Sequence, residues 1–91
     1  MDIKHKIQEE LDVMEQEMPQ HEIILFNDDI NTFDFVIEAL IKVCEHTPLQ
    51  AEQCTHLVHF KGKCSVKSGE YADLEPRCTK LLDLGLSAEI V

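Results

Sequence analysis

Residues 24–36 read ILFNDDINTFDFV, and the fold turns on how that stretch is divided. The apolar run Ile23, Ile24, Leu25, Phe26 stops at Asn27-Asp28-Asp29, and a second apolar segment opens at Phe33. A short β-branched and aromatic run ended by turn residues marks a buried strand, here His21 to Phe26. Beyond the turn, Val36, Ile37, Leu40, Ile41 and Cys44 share one face at helical spacing, which predicts a helix from Thr32 or Phe33 to about Cys44. Asn31 or Thr32 can cap it, and Asp34 suits the positive end of its dipole. Turns accept Asn and Asp at little cost, so Asn27-Asp28-Asp29 can be a turn and nothing more. Three short acceptor side chains at a strand end can also form a receptor for a cation.

Working outward, Thr47-Pro48-Leu49-Gln50 is a strong helix start: Thr47 as cap, Pro48 at the first helical position and Gln50 closing a capping box. The second helix is expected to run to about Phe60, burying Ala51, Cys54, Leu57 and Val58. Gly62 turns the chain into a strand from Lys63 to Lys67, which with Lys61 presents a basic, solvent-facing edge of the kind that discourages aggregation. Ser68-Gly69 leads to a helix from about Tyr71 to Leu84. Pro76 inside it means either a start near Asp73 or a kink. Gly85 stops that helix, and Leu86 to Val91 forms the last strand. The order β-α-α-β-α-β implies an α+β domain over residues 21–91, a small three-stranded antiparallel sheet packed against three helices. Residues 1–20 form an extension. Ile3, Ile7, Leu11, Met14 and Met18 give residues 1–18 one apolar helical face, closed by Pro19. Such a helix can dock on its own domain, pair with a partner or fray.

The chain has 91 residues, enough for one small domain, and 44% are hydrophobic. No apolar run approaches the length of a membrane span, and the charged N-terminus does not read as a signal peptide, so a soluble, cytoplasmic protein is expected. Eighteen acidic against 8 basic residues give a formal charge of −10, which argues against nucleic acid as a partner. The four cysteines, Cys44, Cys54, Cys64 and Cys78, form no CxxC pair. Cys44, His46, Cys54 and His56 are the one set that could be assembled into a zinc site, but their spacing is unlike that of structural zinc ligands. Cys44, Cys54 and Cys78 fall on apolar helix stripes, where Cys behaves as a small hydrophobe. No metal and no cofactor are expected. There is no nucleophile–base pair, glycine-rich phosphate loop or HExxH motif, so the protein is read as non-enzymatic.

The binding reading comes from the second helix. His59 stands at the margin of its core face, while His56 lies on the more exposed side. Both helices flank the Asn27-Asp28-Asp29 turn, so His59 can face Asn27 across a cleft floored by Leu25, Phe33 and Val36. An imidazole nitrogen, an amide oxygen and carboxylates make a set of acceptors suited to an ammonium group with three hydrogens. An apolar pocket beside them suits a large side chain on the same ligand. The first residue of a peptide offers both, and capture of a peptide's amino terminus is a known binding mode.

The stretch EIILFNDDINTFDFVIEALIKVCEHTPLQAEQCTHLVHFKGK, residues 22–63, resembles the ClpS family of adaptors. The resemblance rests on NDD after an apolar strand, on F-V-I-E-x-L at Phe35 to Leu40, and on V-H-x-x-G-K at Val58-His59 and Gly62-Lys63. It extends over about residues 21–91 and is looser in the last third. It implies the same β-α-α-β-α-β fold, shared with the C-terminal domain of the ribosomal stalk protein. It also implies binding of proteins with bulky hydrophobic first residues (N-degrons) and their delivery to a ClpA- or ClpC-type AAA+ unfoldase and its protease. By the resemblance, Asn27, Asp28 and His59 hold the ligand's α-amino group, Asp29 and Asn31 serve the loop and its peptide contacts, and Leu25, Phe33, Val36, Thr55 and Val58 line the side-chain pocket. Arg77 falls at a position of the unfoldase-docking surface, and the extension corresponds in place and length. A monomer is expected.

Three departures from the family pattern stand at the site. Asn31 replaces a Thr that contacts the peptide backbone, and Phe33 and Thr55 each replace a Met at the pocket. The amine site is thereby kept and the wall that selects the first residue is changed. Two other readings remain at this point: an interaction domain of ribosomal-stalk type without the pocket, which has no need of the NDD–VH pairing, and the metal protein already described.

Overall fold

The computed structural model describes Ile3 and residues 20–91; the segment expected to be an amphipathic helix, residues 1–18, lies apart from Ile3 outside the described residues. The elements are β1 (His21–Phe26), α1 (Phe33–Cys44), α2 (Pro48–Lys61), β2 (Lys63–Gly69), α3 (Tyr71–Asp83) and β3 (Ser87–Ile90). This is the expected order and an α+β architecture. β2 runs two residues further than expected, and β3 is trimmed at both ends.

The sheet is antiparallel with order β2-β1-β3, so the most apolar strand is central. Ile23 and Leu25, two residues apart on β1, are fully buried with Leu40, Ala51, Leu74 and Leu81 from the three helices. Strand periodicity puts those two side chains on one face, and the helices cover it. The register of β1 against β2 shifts between Ile23 and Ile24, which leaves Val66 as the unpaired residue of a bulge. The carbonyl of Val66 is taken up by Nε2 of the buried His46.

Local chemistry fixes the ends of the helices. Thr32 caps α1, its hydroxyl accepting from the Phe35 N–H at 3.2 Å, and Thr47 caps α2 through the Gln50 N–H at 3.1 Å, with Pro48 in the first turn. Gly62 ends α2 at φ 90°, a left-handed conformation that favours glycine, and donates its N–H to the Val58 carbonyl. Pro76 sits within α3, where it removes one intrahelical donor while the helix begins as early as Tyr71.

One expectation about α2 is corrected. Leu57 is not buried but 46% exposed, and Thr55 takes an inward position at 3% exposure. Thr55 is accommodated because its hydroxyl donates to the Ala51 carbonyl at 2.7 Å, so its own polar atom is not left without a partner.

Candidate functional site

The loop between β1 and α1 is closed by a single carboxylate. Asp28 Oδ1 accepts from the backbone N–H groups of Ile30 (3.0 Å) and Asn31 (2.8 Å), and Oδ2 accepts from the Asn31 side-chain amide (2.9 Å). The Asn31 backbone N–H foremost, then its side-chain amide and the Ile30 N–H, hold the Asp28 carboxyl below its ordinary range against the opposing effect of burial. Asn31 Nδ2 also donates to the Gly85 carbonyl at 3.0 Å, which ties the loop to the turn before β3. On the other side, the Asn27 N–H donates to the Gly62 carbonyl at 2.9 Å, which ties the loop to the end of α2.

These ties bring the residues singled out in the sequence around one cavity of about 240 Å³. Asn27, Asp28, Asp29 and Asn31 form one side of it and His59 stands on α2. Leu25, Phe33, Val36, Thr55 and Val58 supply the apolar part. Phe26 and Leu86 line it too, and neither was singled out in the sequence. Leu86 is buried directly after the Gly85 turn, a position that reads as ordinary core until the Asn31–Gly85 bond brings it to the loop. The cavity is smaller than the roughly 300–1,000 Å³ of sites for drug-sized ligands, and it suits one large side chain.

Loop closure falls to Asp28 together with Asn31; the family resemblance implies loop and peptide contacts for Asp29 and Asn31. The three bonds at Asp28 occupy three of the roughly four lone-pair directions of a carboxylate, leaving one on Oδ2 with the full negative charge. Asn27, Asp29 and His59 are exposed at the cavity. The His59 ring is set edge-on against Phe33, centroids 5.6 Å apart, and against Phe60 at 5.1 Å. Phe33 also meets His56 at 4.9 Å. The altered wall residue is thus held by imidazoles on the opposite helix.

Arg77 lies away from this cavity. Its guanidinium donates to the Val43 carbonyl (2.7 Å) and pairs with Asp73 (3.2 Å) and Glu45 (3.4 Å), joining α3 to the end of α1. Among the described residues no group of three or more His, Cys, Asp or Glu is placed to hold a metal ion. Burial pushes the Cys44 thiol up to about 11, and burial with the neighbouring Cys64 pushes the Cys54 thiol up to about 12. No described helix is long and apolar enough to cross a membrane.

The family model for the ATP-dependent Clp protease adaptor protein ClpS matches residues 16–89. The chain is 33% identical over 81 residues to the ATP-dependent Clp protease adapter protein ClpS of Thermosynechococcus vestitus, covering 88% of this chain and 86% of that one. It is 30% identical over 84 residues to the protein of the same description from Treponema denticola, covering 90% and 83%. Among solved structures, ClpS2 of Agrobacterium tumefaciens bound to L-phenylalaninamide superposes with a TM-score of 0.77 over 81% of this chain and 96% of that one, at 21% identity. That likeness is one of fold. The match over residues 16–89 and the length shared with the curated relatives show that this chain belongs to the ClpS family of Clp protease adaptors.

Proposed function

We propose that this protein binds the free amino terminus of proteins whose first residue is bulky and hydrophobic, and delivers them to a ClpA- or ClpC-type AAA+ unfoldase for degradation. The observation that carries the reading is a single cavity joining an acceptor set to an apolar floor. Asn27, the remaining lone pair of Asp28 and His59 offer acceptors to an ammonium group, and the Asp28 charge favours it. Leu25, Val36 and Val58 take the side chain, with Phe33 and Thr55 setting which side chains fit. Asp29 and Asn31 serve the peptide backbone, and Asn31 does so from a position already braced by Asp28 and Gly85. The Agrobacterium tumefaciens relative was solved with L-phenylalaninamide, a compound with an α-amine beside a benzyl side chain, which is the chemistry this cavity suits.

The adaptor acts without catalysis, in the cytoplasm and as a monomer, with Arg77 on α3 contributing to the unfoldase contact. Fluorescence anisotropy with peptides beginning in Leu, Phe, Tyr, Trp and Val, each with an acetylated counterpart, tests the reading. Binding by the free amino termini that acetylation abolishes is the expected result. No binding by any free amino terminus would sink the proposal and favour an interaction domain of ribosomal-stalk type.

A further inference from the structure

α2 carries apolar residues on both of its faces. Ala51, Thr55 and Val58 turn inward, while Leu57 and Phe60 stand at 46% and 74% exposure on the other side. Phe60 is not isolated. Its ring lies parallel to that of His56, one helical turn back, with an interplanar angle of 3° and centroids 5.9 Å apart. Neither ring lines the cavity, yet each touches a residue that does: His56 meets Phe33 at 4.9 Å, and Phe60 meets His59 at 5.1 Å. An exposed ring platform therefore continues the rim of the cavity outward along α2. Large apolar groups left exposed and contiguous with a binding site are more informative than scattered ones.

We propose that His56 and Phe60, with the edge of Phe33, form a second subsite that takes an aromatic side chain at the third residue of a bound peptide. The inference rests on the proposed capture of the first residue in the cavity. An extended peptide turns alternate side chains to the same face, so residue three follows residue one toward the protein. Its offset is about 6.6 Å, twice the strand rise per residue. The platform rings contact the rim residues Phe33 and His59 at centroid distances of 4.9 and 5.1 Å, so the subsite directly adjoins the cavity. The rings offer faces and edges for aromatic stacking, the contact that planar side chains make best. Glu52, whose carboxylate lies 4.0 Å from His56 Nε2, places negative charge beside the platform and disfavours an acidic third residue.

The test compares free-amine Leu-Ser-Phe, Leu-Ser-Ser, Leu-Ser-Arg and Leu-Phe-Ser peptides, otherwise identical, by fluorescence anisotropy. Leu-Ser-Phe is expected to bind about threefold to tenfold more tightly than Leu-Ser-Ser, the range of one aromatic pair. In Phe60→Ala that advantage disappears while Leu-Ser-Ser affinity stays as in the wild type; in His56→Ala, which also removes a neighbour of Phe33, the ratio of Leu-Ser-Phe to Leu-Ser-Ser affinity falls to one. Equal affinities for Leu-Ser-Phe and Leu-Ser-Ser would overturn the subsite, as would the same gain from Leu-Phe-Ser. A larger gain from Leu-Ser-Arg would replace stacking with simple charge attraction. Loss of Leu-Ser-Ser binding in Phe60→Ala would reduce the ring to a support for His59. If Leu-Ser-Ser itself fails to bind the wild type, the capture reading fails first. If it binds and the third residue has no effect, the subsite alone is wrong.

Discussion

At Asp28 one carboxylate accepts three hydrogen bonds that shape the loop and also presents charge to the cavity, so loop closure and the proposed amine binding draw on the same group. Asp28→Asn keeps the shape but removes the charge and one strong acceptor. It is expected to cost about 1 kcal/mol of stability, the scale of a partly exposed hydrogen bond, together with a clear fall in peptide affinity. The pH dependence follows from the lowered carboxyl. The native pKa lies below the ordinary 3.8, so the contribution of Asp28 is fully present above that value and is lost as pH falls through the native one. Urea unfolding at pH 6 and in strong acid should therefore show the gap between wild type and Asp28→Asn close only in acid; a constant gap would show that the charge is not what stabilises the loop. Asn27 differs, being exposed with its backbone held by Gly62. Asn27→Ala should leave the unfolding free energy within about 0.5 kcal/mol of the wild type and weaken the binding of free-amine peptides about tenfold, the value of one hydrogen bond to a charged group. The acceptor set was legible as letters, because NDD after an apolar strand and His59 beside a helical core face are both visible. Which Asp closes the loop was not, since adjacent carboxylates on a turn differ only in backbone direction.

Thr32 and Thr47 are the same device at two helix starts, and they separate stability from function. Each accepts one orphan N–H, from Phe35 and Gln50 respectively, and each Thr→Ala change should cost about 1 kcal/mol. For a domain of this size that lowers Tm by about 4–8 °C. Both helices carry residues into the cavity, but Phe33 and Val36 lie in the turn that Thr32 begins, whereas Thr55, Val58 and His59 lie two turns or more beyond Thr47, so Thr32→Ala should weaken peptide binding and Thr47→Ala should not. Equal binding by both variants in anisotropy at a temperature where both are folded would show that the cap does not position the wall. Caps, Pro48 and Gly62 made the helices legible because they act through local geometry. Leu57 defeated the same reading. α2 carries apolar side chains on both faces, so periodicity alone cannot say which is inward, and a buried Thr55 satisfied by the Ala51 carbonyl takes a place usually given to Leu.

Across the whole molecule, separated segments are joined by few side chains, and these are what the sequence conceals. The central place of β1 is foreshadowed by its apolar letters, but the bulge at Val66 and its partner His46 depend on pairing between distant segments. Arg77 is another such joint, linking α3 to Val43 and Glu45 at the end of α1. Its planar fork serves three acceptors at once, which a lysine cannot reproduce. Arg77→Lys is therefore expected to lose about 1–2 kcal/mol in urea unfolding while leaving peptide affinity unchanged, because the cavity lies elsewhere. The proposed contact with the unfoldase adds a separable expectation. If positive charge at this position takes part in docking, delivery of an N-degron substrate should persist in Arg77→Lys and fall in Arg77→Met, at temperatures where both variants are fully folded. Substrate degradation by the reconstituted unfoldase–protease, measured beside the folded fraction, makes the comparison. Delivery by Arg77→Met at the wild-type rate would confine Arg77 to joining the helices, and the docking surface would have to lie on other residues.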